Sequence, residues 1–482
     1  MKKIKFLILT FLTVAIFTGC DTKFEEINTD PNNSTELPAH LLLGYSQRFY
    51  TNTIHGVLGG AGGDMGAIWA QLWTKVQYND EERYVPRRGV MDNIFSNLYA
   101  TVTSEANQMS RLAEAEGNQV LQGVGMVMQA VGFQTLTELF GPIPFTEALD
   151  GSILQPVYDD ESVVWEGIIN MYTEGANLIA SGNGSITGSS DLWYGGDASK
   201  WIKLANSLKF RALMRISSTR SVGSELQALV GNMMTSNADN AELVYLAVAP
   251  DANPIFELIA DGNRAEYKVS ELTVTTLQNS NDPRLPIYVA PAESDGAYRG
   301  KPVGYGNETT LPNEDLGYTY SKISALGSFY LEPTLPGVTM SYAELNFLLA
   351  EAANEGYISG GLTAVNNYYN EGIRASMAWH GLDASAYLAQ DGIAIASQAD
   401  GRTKIGTQKW LSLFGQGYEA WTEWRRTKVP TLQPVIEHDP QVGQIPSRYY
   451  YPTTEPSFNK ANYEAASASI GGDKLTSPLI WQ

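Results

Sequence analysis

Cysteine is almost missing: Cys20 is the only one in 482 residues. That excludes an internal disulfide and any centre built on several thiolates. Histidine is scarce too. His40, His55, His380 and His438 are scattered, and no HExxH pair is present to hold zinc. Basic charge is in short supply, with 32 Lys and Arg against 52 Asp and Glu and a formal charge of −20. Adjacent arginines occur only as the pairs Arg87–Arg88 and Arg425–Arg426. A surface of that sign repels a phosphate backbone, so nucleic acid is not an expected partner. Nucleophile-elbow and cysteine-nucleophile motifs are absent. Two glycine stretches fail as phosphate loops. Gly59–Gly66 (GGAGGDMG) does not fit GxGxxG and follows a helical pattern. Gly296–Pro302 (GAYRGKP) is one residue short, with Pro302 where a hydroxyl must reach magnesium. No cofactor is expected. After Cys20, no stretch is apolar enough to cross a bilayer.

What is present begins with an address. MKKIK is a basic start, and FLILTFLTVAIF is an apolar run of signal-peptide length ending at Phe17-Thr18-Gly19-Cys20. This resembles a bacterial lipobox, which predicts a signal peptide over 1–19, removed to leave an acylated Cys20. Residues 20–36, polar and without apolar period, read as a tether. Asn28, Asp30, Asn32 and Ser34 alternate as in a calcium loop, but the glycine and distal acid are missing. Hydrophobic content of 43% with 17% charged residues makes the rest globular.

The strongest periodic signal is a helix pair within Val338–Trp379. Leu345, Leu348, Leu349 and Ala352 recur at helical spacing, then Leu362, Val365, Tyr369 and Ile373, across a break at Gly356, Gly360 and Gly361. Two helices on so short a connection pack antiparallel and need neighbours to bury their stripes. Ala350, Ala352 and Ala364 allow close approach. Similar patterns span Leu37–Leu58, Val90–Glu116 with Val120–Phe140, Glu161–Ala180 with Ala198–Ser218, and Lys404–Arg426. Gly141-Pro142 stops one helix, and Asp197 is placed to cap another. Along Ala198–Ser218, Lys203, Lys209, Arg211 and Arg215 are dispersed around the helix and need no ligand to explain them. The fold class expected is mainly α, a TPR-like scaffold of antiparallel helix pairs, with helices within 37–220 and 338–426. An irregular region over about 221–337 carries short β-like runs (ELVYLAV, LPIYVA). The tail 430–482 reads as irregular and wrapping back, completing a single domain over 37–482.

Tyrosine and tryptophan are abundant, 26 and 10. Most such rings belong in a core, but some lie among Gly and Asn, where they suit a binding surface. Trp69 and Trp73 are four apart on an expected helix beside the Gly59–Gly66 loop, with Tyr78 in the polar QYNDEERY. In the irregular region, Tyr298, Tyr305, Tyr318, Tyr320 and Phe329 are similarly set. The expected ligand surface is Trp69, Trp73, Tyr78, Tyr318 and Tyr320. The rival reading is an all-helical glycoside hydrolase, which needs two carboxylates across a cleft. Glu344 and Glu351, roughly 10 Å apart along one helix, have a suitable spacing but adjoin the buried stripe at Leu348.

Several segments together resemble the SusD/RagB family of outer-membrane lipoproteins: Cys20 with FEEINTDPNNST, WYGGDASKWIKLANSLKFRALMRI, NDPRL, AELNFLLAEAANEG with YNEGIRASM, GQGYEAWTEWRRTKVP, and IPSRYYYPTTEPSFNKANYEAA. They follow in order along nearly the whole mature chain. The resemblance implies about four TPR-like pairs supporting an irregular ligand-bearing face. It implies a non-enzymatic, surface-exposed lipoprotein that captures an oligosaccharide, or in some members a peptide. It also implies delivery to a SusC-like TonB-dependent barrel. These motifs are scaffold motifs and leave the ligand residues to the reading above.

Overall fold

The structure is a computed structural model that describes residues 38–305 and 317–482. The signal peptide, Cys20, the tether and the calcium-like alternation lie outside the described residues. Chain entry is by α1 (Leu41–His55). Helices α2 (Arg88–Asn97) and α3 (Ser104–Ala115) are joined by a π-helical turn, and α3 packs on α4 (Gln119–Phe140). The next pair is α5 (Glu161–Ala180) and α6 (Ala198–Arg215). Within the irregular region lies α7 (Glu271–Asn279), and after it come α8 (Tyr342–Asn354) with α9 (Gly361–Trp379), and α10 (Gln398–Ser412) with α11 (Gly417–Thr427). Contact of α6 with α8 joins the first helices to the second set, within which α10 packs on α8. Residues Ala39–Gln482 form one compact unit.

Local chemistry sets the boundaries. Asp197 caps α6 by accepting from the Ser199 and Lys200 N–H groups, and Ser341 caps α8 through the Glu344 N–H at 3.1 Å. Helix α4 ends at Gly141, whose φ of +85° suits glycine, just before Pro142. Nearly every side of α4 is apolar and buried, as a central helix requires. It meets α5 at two glycines: a Cβ on Gly123 would lie 2.5 Å from the Gly175 carbonyl oxygen.

Strands are few and short. β1 (Trp73–Lys75) pairs antiparallel with β3 (Tyr267–Val269), Thr74 facing Lys268. β2 (Ala241–Leu243) pairs antiparallel with β4 (Gly337–Met340).

Several expectations are corrected. The helix anticipated through Trp69 and Trp73 is a π-helical turn, Gly63–Ala67, followed by β1. Glycines 59–66 do not arch over a groove: all but Gly59 are buried, and a Cβ on Gly417 would lie 2.0 Å from the Gly62 carbonyl oxygen, so they admit the start of α11. Val338–Met340 belongs to β4 rather than to α8. Lys404–Arg426 is two helices, broken between Ser412 and Gly417. LPIYVA begins as a helical turn, Leu285–Tyr288, and the tail contains α12 (Lys460–Ser469). Leu362 on α9 is exposed, while Val365, Tyr369 and Ile373 are buried.

Two basic residues of α6, Arg211 and Arg215, lie inside the fold with protein partners. Arg215 is wholly buried, its guanidinium bonding Glu138 of α4 at 2.8 Å and Glu419 of α11 at 2.7 Å, with Glu423 on its third nitrogen. Lys409 reaches Glu423 at 2.8 Å, and Arg426 joins Glu423 to Glu351. Arg211, also buried, sits 3.5 Å from Glu344. The periodicity pattern counts such residues as polar and exposed, whereas a guanidinium ringed by carboxylates is stable inside. The tail closes over this centre. Tyr449 N–H donates to the Leu139 carbonyl at 2.7 Å, Arg448 Nε donates to that of Phe140, and Trp481 is buried.

Candidate functional site

The rings expected to bind ligand separate into two groups. Trp69 and Trp73 are 1% and 2% exposed. Trp69 packs edge-on against Trp421 and Tyr449 and donates its indole N–H to the Glu81 carbonyl at 2.8 Å. Trp73 packs against Phe414. Both are core residues with no face open to a ligand, which corrects the expectation for these two. Their four-residue spacing had a helical meaning only if the segment were helical.

Tyr78 and Tyr320 come together beside the β1–β3 ribbon, while Tyr318 lies with Tyr305. Tyr78 follows β1 with φ of +54° and is 59% exposed. Tyr320 is 41% exposed, and its hydroxyl donates to Gln77 Oε1. Tyr318 is half-buried, its ring 5.7 Å from that of Tyr305. The Arg264 guanidinium lies 5.7 Å over the Tyr78 ring, and Lys268 Nζ lies 5.9 Å from the Tyr320 ring while donating to the Tyr320 carbonyl at 2.8 Å. Burial raises the Tyr320 phenol above its ordinary pKa, with nearby Glu266 and Tyr78 adding to it, so it remains a neutral donor. Of the other aromatics in the irregular region, Phe329 packs on Tyr330, Trp379 and His380.

Beneath these rings is a frame of buried charge. Lys75 Nζ lies 3.2 Å from Asp64 and 3.0 Å from Glu81, and Arg87 bonds the same two carboxylates at 2.7 and 2.6 Å. The Tyr267 hydroxyl donates to Asp64 at 2.8 Å. Burial alone would lower the Lys75 ammonium pKa, but Asp64 and Glu81 outweigh it and raise it, so the cation persists. Next door, buried Glu82 takes Lys301 Nζ at 3.2 Å, the Gly304 N–H at 2.9 Å and the Lys75 N–H. The two sets of bonds fix the loop 75–84 against 301–305, and Asn79 Nδ2 bonds the Tyr305 carbonyl. The ribbon, the loop and the tyrosines are thus held on a rigid base rather than on free loops. Gln77, Arg264 and Lys268 escaped sequence reasoning because only the β1–β3 pairing brings 264–268 beside 75–78. Tyr305 had the right signal, an aromatic among glycines.

Arrangements for catalysis are not assembled from the other candidates. Glu344 is fully buried in the Arg211 cluster, its carboxyl raised to about 7 by burial and by Glu419, and Glu351 is tied to Arg426 at 2.6 Å. Neither faces a cleft, which corrects the hydrolase spacing argument. His55 bonds the Val338 carbonyl at 2.9 Å, and His380 bonds the Tyr330 hydroxyl at 2.8 Å, inside the core. Among the described residues, no group of three or more His, Cys, Asp or Glu is placed to hold a metal ion.

Comparison with known proteins gives the family. Residues 32–452 match the model for SusD-like proteins described as starch-binding and associating with the outer membrane. No curated protein matches the sequence. Among solved structures, a SusD-like protein from Bacteroides thetaiotaomicron superposes with a TM-score of 0.79 at 24% identity, covering 92% of this chain and 98% of that one. A chitin-binding SusD homolog from Flavobacterium johnsoniae gives 0.79 at 20% identity, covering 91% and 98%. A SusD homolog from Bacteroides fragilis gives 0.76 at 25%, covering 92% and 99%. The match over most of the sequence and the shared helix-pair architecture agree: the chain belongs to the SusD-like family of outer-membrane-associated, non-catalytic nutrient-binding proteins.

Proposed function

We propose that this protein captures an oligosaccharide at the surface formed by Tyr78, Tyr318 and Tyr320, and passes it to a SusC-like TonB-dependent barrel in the outer membrane. The observation that carries the reading is the exposed tyrosine cluster on a base of buried ion pairs. Sugars present apolar C–H faces that stack on tyrosine rings, and hydroxyls that pair with groups such as Gln77 and Arg264. A chain of net charge −20 favours a neutral ligand over an anionic one. The family description names starch, and one structural neighbour is chitin-binding, so uncharged glucans and chitooligosaccharides are the first ligands to try.

Calorimetry with maltooligosaccharides, chitooligosaccharides and a control set of peptides tests this. Tyr78→Ala with Tyr320→Ala should weaken glycan binding at least tenfold while leaving the thermal midpoint nearly unchanged, because both rings are exposed. Full affinity in the double variant refutes the site, and binding of peptides alone refutes the ligand class. In the same reading Cys20 carries the lipid that holds the protein at the cell surface. Palmitate labelling in cells should be lost in Cys20→Ser, and labelling that survives the change would reject Cys20 as the anchor. Co-purification of a large barrel in mild detergent tests the transport partner.

A further inference from the structure

A second concave surface shares no residue with the tyrosine cluster. It is a solvent-open groove of about 620 Å³, within the range of about 300–1,000 Å³ that ligand pockets occupy. One wall is α2 and the π-helical turn after it, another is the loop 144–156, and the third is the tail at 452–459. The groove is built, not incidental. Tyr99 Oη donates to the Pro144 carbonyl at 2.6 Å, Tyr158 Oη donates to Glu455 at 2.7 Å, and Asn459 Nδ2 donates to the Pro156 carbonyl at 2.8 Å. Thr453 is bonded to Asp92 through both its N–H and its hydroxyl. All three walls are therefore pinned to one another before anything binds.

Two properties say what the groove would take. Its rim exposes large apolar side chains that none of the described residues covers: Leu154 is 89% exposed and Phe458 71%. Isolated exposed apolar residues are ordinary, but two at the lips of one apolar-floored groove form a contact surface. The charge in the groove has a single sign. Asp92, Glu147, Asp150 and Glu455 line it, and among the described residues no Lys or Arg does. Hydrogen-bonded serine lowers the Asp150 carboxyl below its usual range, so that charge is held firmly at neutral pH.

We infer that this groove is a docking site for an extended segment of a partner protein that carries cationic side chains between apolar ones. Apolar residues of the segment contact Leu154, Phe458 and the floor at Phe95, while Lys or Arg faces the four carboxylates. A neutral sugar would leave those charges unused, and an anionic headgroup would be repelled by them.

The test uses the full chain and a fluorescein-labelled short peptide of alternating leucine and arginine, read by anisotropy. Saturable binding is expected, weakening as salt is raised. Matched peptides with glutamate for arginine, or serine for leucine, should bind at least tenfold more weakly. Leu154→Ser with Phe458→Ser should also lose at least tenfold, with an unchanged circular dichroism spectrum and melting point, since both side chains are in solvent. Equal binding of the glutamate peptide, no saturable binding, or full affinity in the double variant would each overturn the inference. So would binding that transfers to anionic lipid vesicles and spares the peptide. Glycan affinity at the tyrosine cluster should be the same in the double variant, which separates failure here from failure of the sugar-binding reading.

Discussion

Single ionisable groups in the interior set the pH response. Glu161 at the start of α5 is 3% exposed, with one oxygen accepting from the Ile480 N–H at 3.2 Å and the other without a partner among the described residues. Burial raises its carboxyl from 4.5 to about 8. Because the folded pKa lies above the unfolded one, the stability Glu161 contributes is fully present below pH 4.5 and is lost as pH rises through 8. Glu161→Gln keeps the acceptor for Ile480 and has no proton to lose. Thermal midpoints of the two proteins should diverge from pH 5 to pH 8.5 in favour of the variant, and parallel curves would refute it. His380 acts in the opposite sense: burial lowers it to about 4, so its contribution is present above pH 6.5 and is lost as pH falls through 4. Arg215 is the other decisive residue. Arg215→Met leaves Glu138, Glu419 and Glu423 facing one another without their shared cation. Unfolding in urea should show a loss of about 3–5 kcal/mol, the usual cost of stranding buried charge. A loss under 1 kcal/mol would mean the cluster is not held by this guanidinium.

Between elements, the α4–α5 contact depends on hydrogen in place of a side chain. The backbones cross where Gly123 and Gly175 face each other's carbonyl oxygens, at 2.5 and 2.9 Å from a hypothetical Cβ. Carbonyl oxygens of two packed helices cannot move aside as a flexible side chain can. Gly123→Val should therefore destabilise by about 1–3 kcal/mol, the cost of overpacking, despite the better helix propensity of valine over glycine. An unchanged denaturation midpoint would show the contact to be loose. The same scale explains what the sequence disclosed and hid. Helices α4, α5, α6, α8 and α9 were legible because long amphipathic or apolar stretches have one way to be buried. β1 was not: three residues carry no period, and its partner β3 is almost 200 positions away. Trp69 and Trp73 were misjudged for this reason, while in their polar loops Tyr78 and Tyr320 are exposed and Tyr318 is half-buried.

Across the molecule, the tail completes the fold rather than decorating it. Tyr449 stacks on Trp421, Arg448 bonds the end of α4, and Trp481 lies beside Arg215 and Arg425. A chain ending at residue 444 would expose these surfaces together. It should fail to unfold cooperatively in calorimetry, and a sharp transition near that of the full chain would refute this. The sequence by itself determined the helix pairs, the family and the abundance of aromatic rings, because these follow from local periodicity and from segments read in order. Tertiary structure alone decided which rings are core and which face solvent, and that Arg211 and Arg215 lie inside. Burial of a side chain depends on what packs over it, and here those neighbours are strands, helices and a tail that are distant along the chain.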